Sequence, residues 1–188
     1  MRAHWIGVKH VLRSLKQTRD LRLTFKKTGS ALKSFCDADF AQSKFDRKSF
    51  SGLMILLANA TVIWSCRKQT NVSMSTGAAE YVAISSAVPE VLWLSDLLDE
   101  LGFGFLAPKP AMLCVDNNGA ICLAKNRSLS RETKSIDIRH HFIQDEYQKG
   151  RVTYEHVPSN QNLADICTKS LSPSVNKGFL ASIGLQWL

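Results

Sequence analysis

The sequence predicts an α/β fold: a mixed five-stranded sheet flanked by helices, preceded by an amphipathic basic helix. Three observations lead there. Three strand-like runs follow one another between residues 31 and 66 with short connections, as hairpin-built sheets do. From residue 76 onward helical and strand patterns alternate, which implies crossover connections and parallel pairing. The charge is lopsided. Residues 1–33 carry nine basic side chains (Arg2, Lys9, Arg13, Lys16, Arg19, Arg22, Lys26, Lys27, Lys33) and one acid, Asp20, within a 188-residue chain of formal charge +8. The remainder is formally neutral, so the first segment reads as a basic arm on a balanced domain.

In order along the chain, Trp5, Val8, Val11, Leu12 and Leu15 recur at helical spacing, which predicts a helix over Ala3 to Gln17 with Lys and Arg between its apolar residues. A break near Thr28-Gly29-Ser30 separates this arm, residues 1–30, from a domain over 31–172. Ala31 to Asp37 is a strand. Gly52–Ala58 and Thr61–Cys66 form a hairpin about Asn59-Ala60, after a polar loop from Gln42 to Lys48. Thr76 to Leu101 is a long helix whose apolar face is Ile84, Val88, Val91, Leu94, Leu98 and Leu101. Ser75 or Thr76 can cap it, Pro89 should kink or split it, and Gly102 ends it. Ala111 to Asp116 is a strand, Asn118 to Lys125 a helix, 131–149 another helix closed by Gly150, Arg151 to Val157 a strand stopped by Pro158, and Leu163 to Leu171 a last helix. Residues 173–188 are a short tail without a clear pattern.

Composition narrows the function classes. A chain that is 45% hydrophobic and 21% charged can bury a core and is not of the disordered class. No uncharged apolar run reaches the roughly 18–20 residues of a membrane helix, and Met1-Arg2-Ala3-His4 lacks the apolar core of a signal peptide, so no membrane partner is expected. Five cysteines without a CxxC pair speak against a disulfide framework or a Cys-rich zinc site; all five are expected to be buried or semi-buried. The expectation is a soluble intracellular protein.

Four carboxylates occupy positions where open α/β sheets place their sites. Asp37 ends the first strand, Asp116 ends an apolar strand, Glu80 lies in the first turn of the long helix one turn before Ile84, and Asp165 opens the last helix. Each has a bland alternative: Asp116 as a helix cap, Glu80 and Asp165 as complements to a helix dipole, Asp37 as a solvent-facing acid. Together they mean more. Four acids in one crevice repel and raise one another's pKa values, which hard cations such as Mg²⁺ can offset through oxygen ligands.

Several motifs carry a resemblance. Phe35-Cys-Asp-Ala-Asp-Phe40, Ile63-Trp-Ser-Cys-Arg-Lys-Gln69, Ala79-Glu-Tyr-Val-Ala83, Cys114-Val-Asp-Asn117, Thr133-Lys-Ser-Ile-Asp-Ile-Arg-His-His-Phe142, His156-Val-Pro158 and Asn162-Leu-Ala-Asp-Ile-Cys-Thr-Lys169 stand in that order. The chain resembles, from His4 to about Leu171, the ribonuclease H domain of copia-type (Pseudoviridae-like) retrotransposon Pol polyproteins. The arm resembles the helix that ends the reverse-transcriptase part.

The resemblance implies a ribonuclease H-like fold and endonucleolytic hydrolysis of the RNA strand of an RNA–DNA hybrid during reverse transcription. It implies Asp37, Glu80, Asp116 and Asp165 as catalytic acids holding two Mg²⁺ ions about 4 Å apart, with Mn²⁺ able to substitute, and no small-molecule cofactor. Asp39 is taken as a neighbour of the site and not a ligand. Asn117 and Ser75 or Thr76 are candidates for 2′-hydroxyl contacts, and Lys125, Arg127 and Lys134 for phosphates. The expected partners are the hybrid and the reverse-transcriptase portion of the same polyprotein; the expected location is cytoplasmic, in a retroelement particle, with a nuclear phase open. The chain departs from the family pattern at Ala78, where an acid is usual, at Phe40, where Trp is common, and at Ser159-Asn160-Gln161, which offers no histidine. An alternative reading is a catalytically idle Pol fragment that binds nucleic acid through its basic arm.

Overall fold

The computed structural model describes residues 2–126 and 137–187, with the side chains of all of these except 137–140. Helix α1 (Arg2–Gln17) is followed by a short strand β1 (Leu21–Leu23). Then come β2 (Lys33–Ala38), β3 (Phe50–Leu57) and β4 (Ala60–Lys68) in an antiparallel meander. The β3–β4 turn is Ala58-Asn59, one residue earlier than the sequence suggests. Both residues have positive φ (52° and 57°), the two-residue geometry that matches strand twist.

Helix α2 (Thr76–Glu100) leads to β5 (Ala111–Val115), α3 (Asn118–Lys125), α4 (Asp137–Gln148) and β6 (Val152–His156). The chain ends with α5 (Asp165–Thr168), α6 (Pro173–Ser182) and β7 (Leu185–Trp187). The main sheet has the order β4-β3-β2-β5-β6, with β5 parallel to β2 and β6 parallel to β5. This is the mixed five-stranded sheet expected from the sequence.

One face of the sheet is covered by α2, α3 and α4 around Ile55, Ile84, Val88, Val91, Leu113 and Ile143, all buried. The other is covered by the C-terminal segment, where Phe35, Met54, Leu56 and Cys114 meet Ala164 and Ile183. Helix α2 has the length and hydropathy of a membrane span, yet 61% of its apolar window is buried inside the protein. It is the core helix of the sandwich.

Four expectations need correction. Pro89 does not split α2. It sits on the exposed side of the helix, where carbonyls already turn toward water, and buried Val88, Val91 and Leu92 hold both halves against the sheet. Burying each of those side chains is worth about 1.5–3 kcal/mol, which outweighs one lost hydrogen bond. Leu101 is not part of the apolar face: it caps the helix and is exposed, while Gly102 at φ +78° turns the chain away. The helix expected over Leu163 to Leu171 is the single turn α5, because the Asn162 side chain takes the Ala164 N–H before it and Ser172-Pro173 starts a new helix after it. Cys66 and Cys122 are exposed, since each lies on the outward side of an edge strand or surface helix.

The tail is structured. Strand β7 pairs antiparallel with β1, Leu21 opposite Trp187, and the ribbon lies on the β3–β4 hairpin through Thr61 N–H to Ile183 O (3.1 Å) and Gly184 against Ala60. Helix α1 forms as expected but has no buried residue; Trp5, Val8, Val11, Leu12 and Leu15 are all exposed.

Candidate active site

The parallel register sets the first two acids side by side. Phe35 of β2 faces Cys114 of β5, so Asp37 and Asp116, each two residues further on, emerge together at the C-terminal edge of adjacent strands. Helix α2 crosses β2 on small residues: Ala79 and Ala83 pack on Ala38. With no bulk at that crossing, Glu80 comes down onto the strand end and accepts a hydrogen bond from the Ala38 N–H. Gln69 fixes the approach, donating to the Ala79 carbonyl (2.9 Å) and to Ser51 Oγ (2.9 Å) of β3.

Asp37, Glu80 and Asp116 each bring one oxygen within 4.8 Å of the other two. Asp37 is fully buried, Glu80 is 3% exposed and Asp116 is partly buried. Burial first, then the charges of Asp37 and Asp116, push the Glu80 pKa up to about 9. Its Oε2 is buried without a hydrogen-bond partner. Such an oxygen is costly unless something fills its coordination, and an all-carboxylate donor set suits a hard divalent cation. The residues present therefore fit Mg²⁺ or Mn²⁺ at this trio.

The fourth acid arrives from the opposite face. Gly52 of β3 pairs with Asp37, and a methyl group on it would stand 2.7 Å from Thr168 Cγ2 and 3.0 Å from the Ala164 carbonyl. Only glycine lets α5 lie this close to the sheet. Buried Asn162 pins the preceding segment, donating to the Cys36 carbonyl (2.9 Å). The result is that Thr168 Oγ1 donates to Asp37 Oδ2, and Asp165 stands beside the trio. Burial raises the Asp165 pKa to about 6, against the hydrogen bond from Lys169 that lowers it.

Lys169 occupies the centre. Its Nζ donates to Asp165 Oδ1 (2.8 Å) and Asp37 Oδ1 (3.0 Å), and lies 3.9 Å from Asp116 Oδ2. Burial pulls the Lys169 pKa down, but the Asp165 hydrogen bond and the Asp37 charge outweigh it, and the net shift is upward.

An open cavity of about 420 Å³ lies over the site, with Glu80, Asp116, Asn117, Thr76, Ser159 and Lys169 in its walls. Asn117, not Asp116, caps α3, accepting from the Ala120 N–H (3.0 Å), so the cap alternative for Asp116 falls away. Ser75 caps α2 through its hydroxyl, accepting from the Ala78 N–H, while Thr76 is exposed on the cavity wall. Asp39 lies in the wall too, with one oxygen held by the Phe50 N–H. It is outside the close trio. Lys125 is away from the cavity lining, its ammonium over the Tyr147 ring at 5.8 Å. Arg127 and Lys134 lie outside the described residues.

The sequence reading did not single out Lys169, Thr168, Asn162, Gln69 or Gly52. Most stand inside the motifs quoted above, but their roles depend on contacts across elements far apart in the chain.

Comparison with known proteins agrees with this architecture. The chain is 35% identical over 183 residues to the retrovirus-related Pol polyprotein from transposon RE2 of Arabidopsis thaliana, covering 97% of this chain and 12% of that protein. It is 34% identical to the retrovirus-related Pol polyproteins from transposon RE1 of Arabidopsis thaliana, over 97% of this chain, and from transposon TNT 1-94 of Nicotiana tabacum, over 88%. It spans about an eighth of their length. No family model matches the chain. Among solved structures, LC11-RNase H1, isolated from compost by a metagenomic approach, superimposes with a TM-score of 0.55 at 14% identity, over 79% of this chain and 98% of that one. The same protein in complex with an RNA/DNA hybrid gives a TM-score of 0.50 at 13% identity, over 73% and 93%. The fold of this Pol-related chain is that of ribonuclease H.

Proposed function

We propose that the chain hydrolyses the RNA strand of RNA–DNA hybrids in a divalent-metal-dependent reaction, as the ribonuclease H part of a copia-type reverse transcriptase. The convergence of Asp37, Glu80 and Asp116 at the edge of a ribonuclease H sheet, with a buried unpartnered Glu80 oxygen, carries this reading. These three residues would hold the cation, with Asp165 alongside. A divalent ion bound there supplies an activated water and neutralises charge on the scissile phosphate. The protein's own groups do the rest. Thr168 holds Asp37 in one orientation, the Ala38 N–H orients Glu80, and the charge of Lys169 is positioned at the cavity where a phosphate would lie. Thr76 and Asn117 line the same cavity and are candidates to read a 2′-hydroxyl. The partners would be the hybrid and the polymerase part of the polyprotein, in a cytoplasmic particle.

The test is cleavage of an RNA–DNA hybrid by the purified chain with Mg²⁺, giving 5′-phosphate ends. Asp116→Asn should lower the rate by on the order of 10² or more while leaving the fold intact. Absence of cleavage by the unaltered chain, or an unchanged rate in the variant, rejects the enzymatic reading.

A second reading has its own observation: α1 is wholly solvent-exposed and belongs to a segment holding most of the excess positive charge. A catalytically idle fragment would bind hybrid in a salt-sensitive way that survives Asp116→Asn and falls on deletion of residues 2–17.

A further inference from the structure

A fixed cation already stands among the four carboxylates. Lys169 closes the turn that begins at Asp165, its backbone N–H bonding the Asp165 carbonyl at 2.8 Å, so acid and lysine are delivered as one unit. That unit cannot retreat easily. Its seat on Gly52 is tight, Asn162 ties it to β2, and Thr168 bonds Asp37. The Lys169 ammonium then joins Asp37 of β2 to Asp165 of α5, the helix packed on the face toward which Asp37 points. With Thr168 on Oδ2 and Lys169 on Oδ1, both oxygens of Asp37 are already engaged on that side.

The close oxygen trio is Asp37, Glu80 and Asp116; Asp165 is not among it. The donor set thus divides into a trio with an unsatisfied buried oxygen on Glu80, and a pair whose negative charge the lysine meets.

We propose that the Lys169 ammonium takes the place of a second divalent ion between Asp37 and Asp165, so that the site binds a single divalent cation at Asp37, Glu80 and Asp116. This rests on the reading of the acids as a divalent-cation site and revises the number of ions that the fold family implies. A tethered ammonium cannot dissociate with product, and it keeps positive charge facing the cavity at any metal concentration. Its third N–H is left to point at Asp116 or at a phosphate oxygen.

Counting ions tests it without relying on activity. The intact chain is titrated with Mn²⁺ and the free ion is measured by electron paramagnetic resonance. The unaltered chain should bind one Mn²⁺. Lys169→Met, which keeps the length of the side chain and removes its charge, should bind two, and its first ion should bind about tenfold more tightly because a neighbouring positive charge is gone. Lys169→Arg, which keeps the charge, should still bind one. Two ions on the unaltered chain overturn the inference even if Lys169→Met fails to fold. So does a folded Lys169→Met that binds one ion with unaltered affinity. Hybrid cleavage, measured separately, tells the two readings apart: cleavage by a chain that binds two ions removes this inference alone, whereas a chain that binds no Mn²⁺ removes the metal reading with it.

Discussion

Glu80 illustrates what burial does to an acid. An exposed glutamate titrates near 4.5, but here loss of water and the nearby charges of Asp37 and Asp116 carry it to about 9. Asp165 moves the same way, to about 6. A carboxyl whose folded pKa is raised binds its proton more tightly in the native state than in the unfolded one. Between the two pKa values the native state therefore holds more protons, and stability falls as pH rises. Without divalent cations, the melting temperature should decline from about pH 5 to pH 9, Mg²⁺ should restore it at the alkaline end, and Glu80→Gln should flatten the profile. A metal-free melting temperature that rises over this range would contradict the assignment. The acids were legible in the sequence because each stands at a strand end or helix start beside an apolar run. Lys169 was not, since one lysine among 24 basic residues carries no signal until a helical turn and a glycine seat bring it onto Asp37.

At the level of elements, the site depends on α5 lying flat on β3. Gly52→Ala would drive a methyl group into Thr168 and the Ala164 carbonyl, and α5 would have to shift. The expected cost is about 1–3 kcal/mol of stability, read from denaturant unfolding. A variant as stable as the parent would show that the seat is not tight. The long elements were legible: the apolar period of α2 and the strands of the meander give their own positions, and buried Ile84, Val88, Val91, Leu94 and Leu98 lie where their spacing places them. The proline effect was misjudged because propensity is local, while the burial on either side of Pro89 is tertiary. The one-turn length of α5 was hidden for the same reason, as Asn162 uses its side chain across the sheet.

For the whole molecule, the exposure of α1 has a measurable consequence. Helix α1 buries none of its residues, so deleting residues 2–17 should leave the melting temperature nearly unchanged while lowering the affinity for hybrid and its salt dependence. A large loss of stability would mean that the apolar stripe is covered in solution by something the single chain does not show. The pairing of β1 with β7 was beyond the reach of pattern reading, since strands of three residues offer no period to detect. That small ribbon also decides how the protein answers to force. Leu21 and Trp187 are partners, so a tether fixed just before one and just after the other would tug on the same end of an antiparallel pair. Its rungs would give way in succession, like a zipper, at low tension, and the load would reach the five-stranded sheet only after that sacrificial clasp had opened.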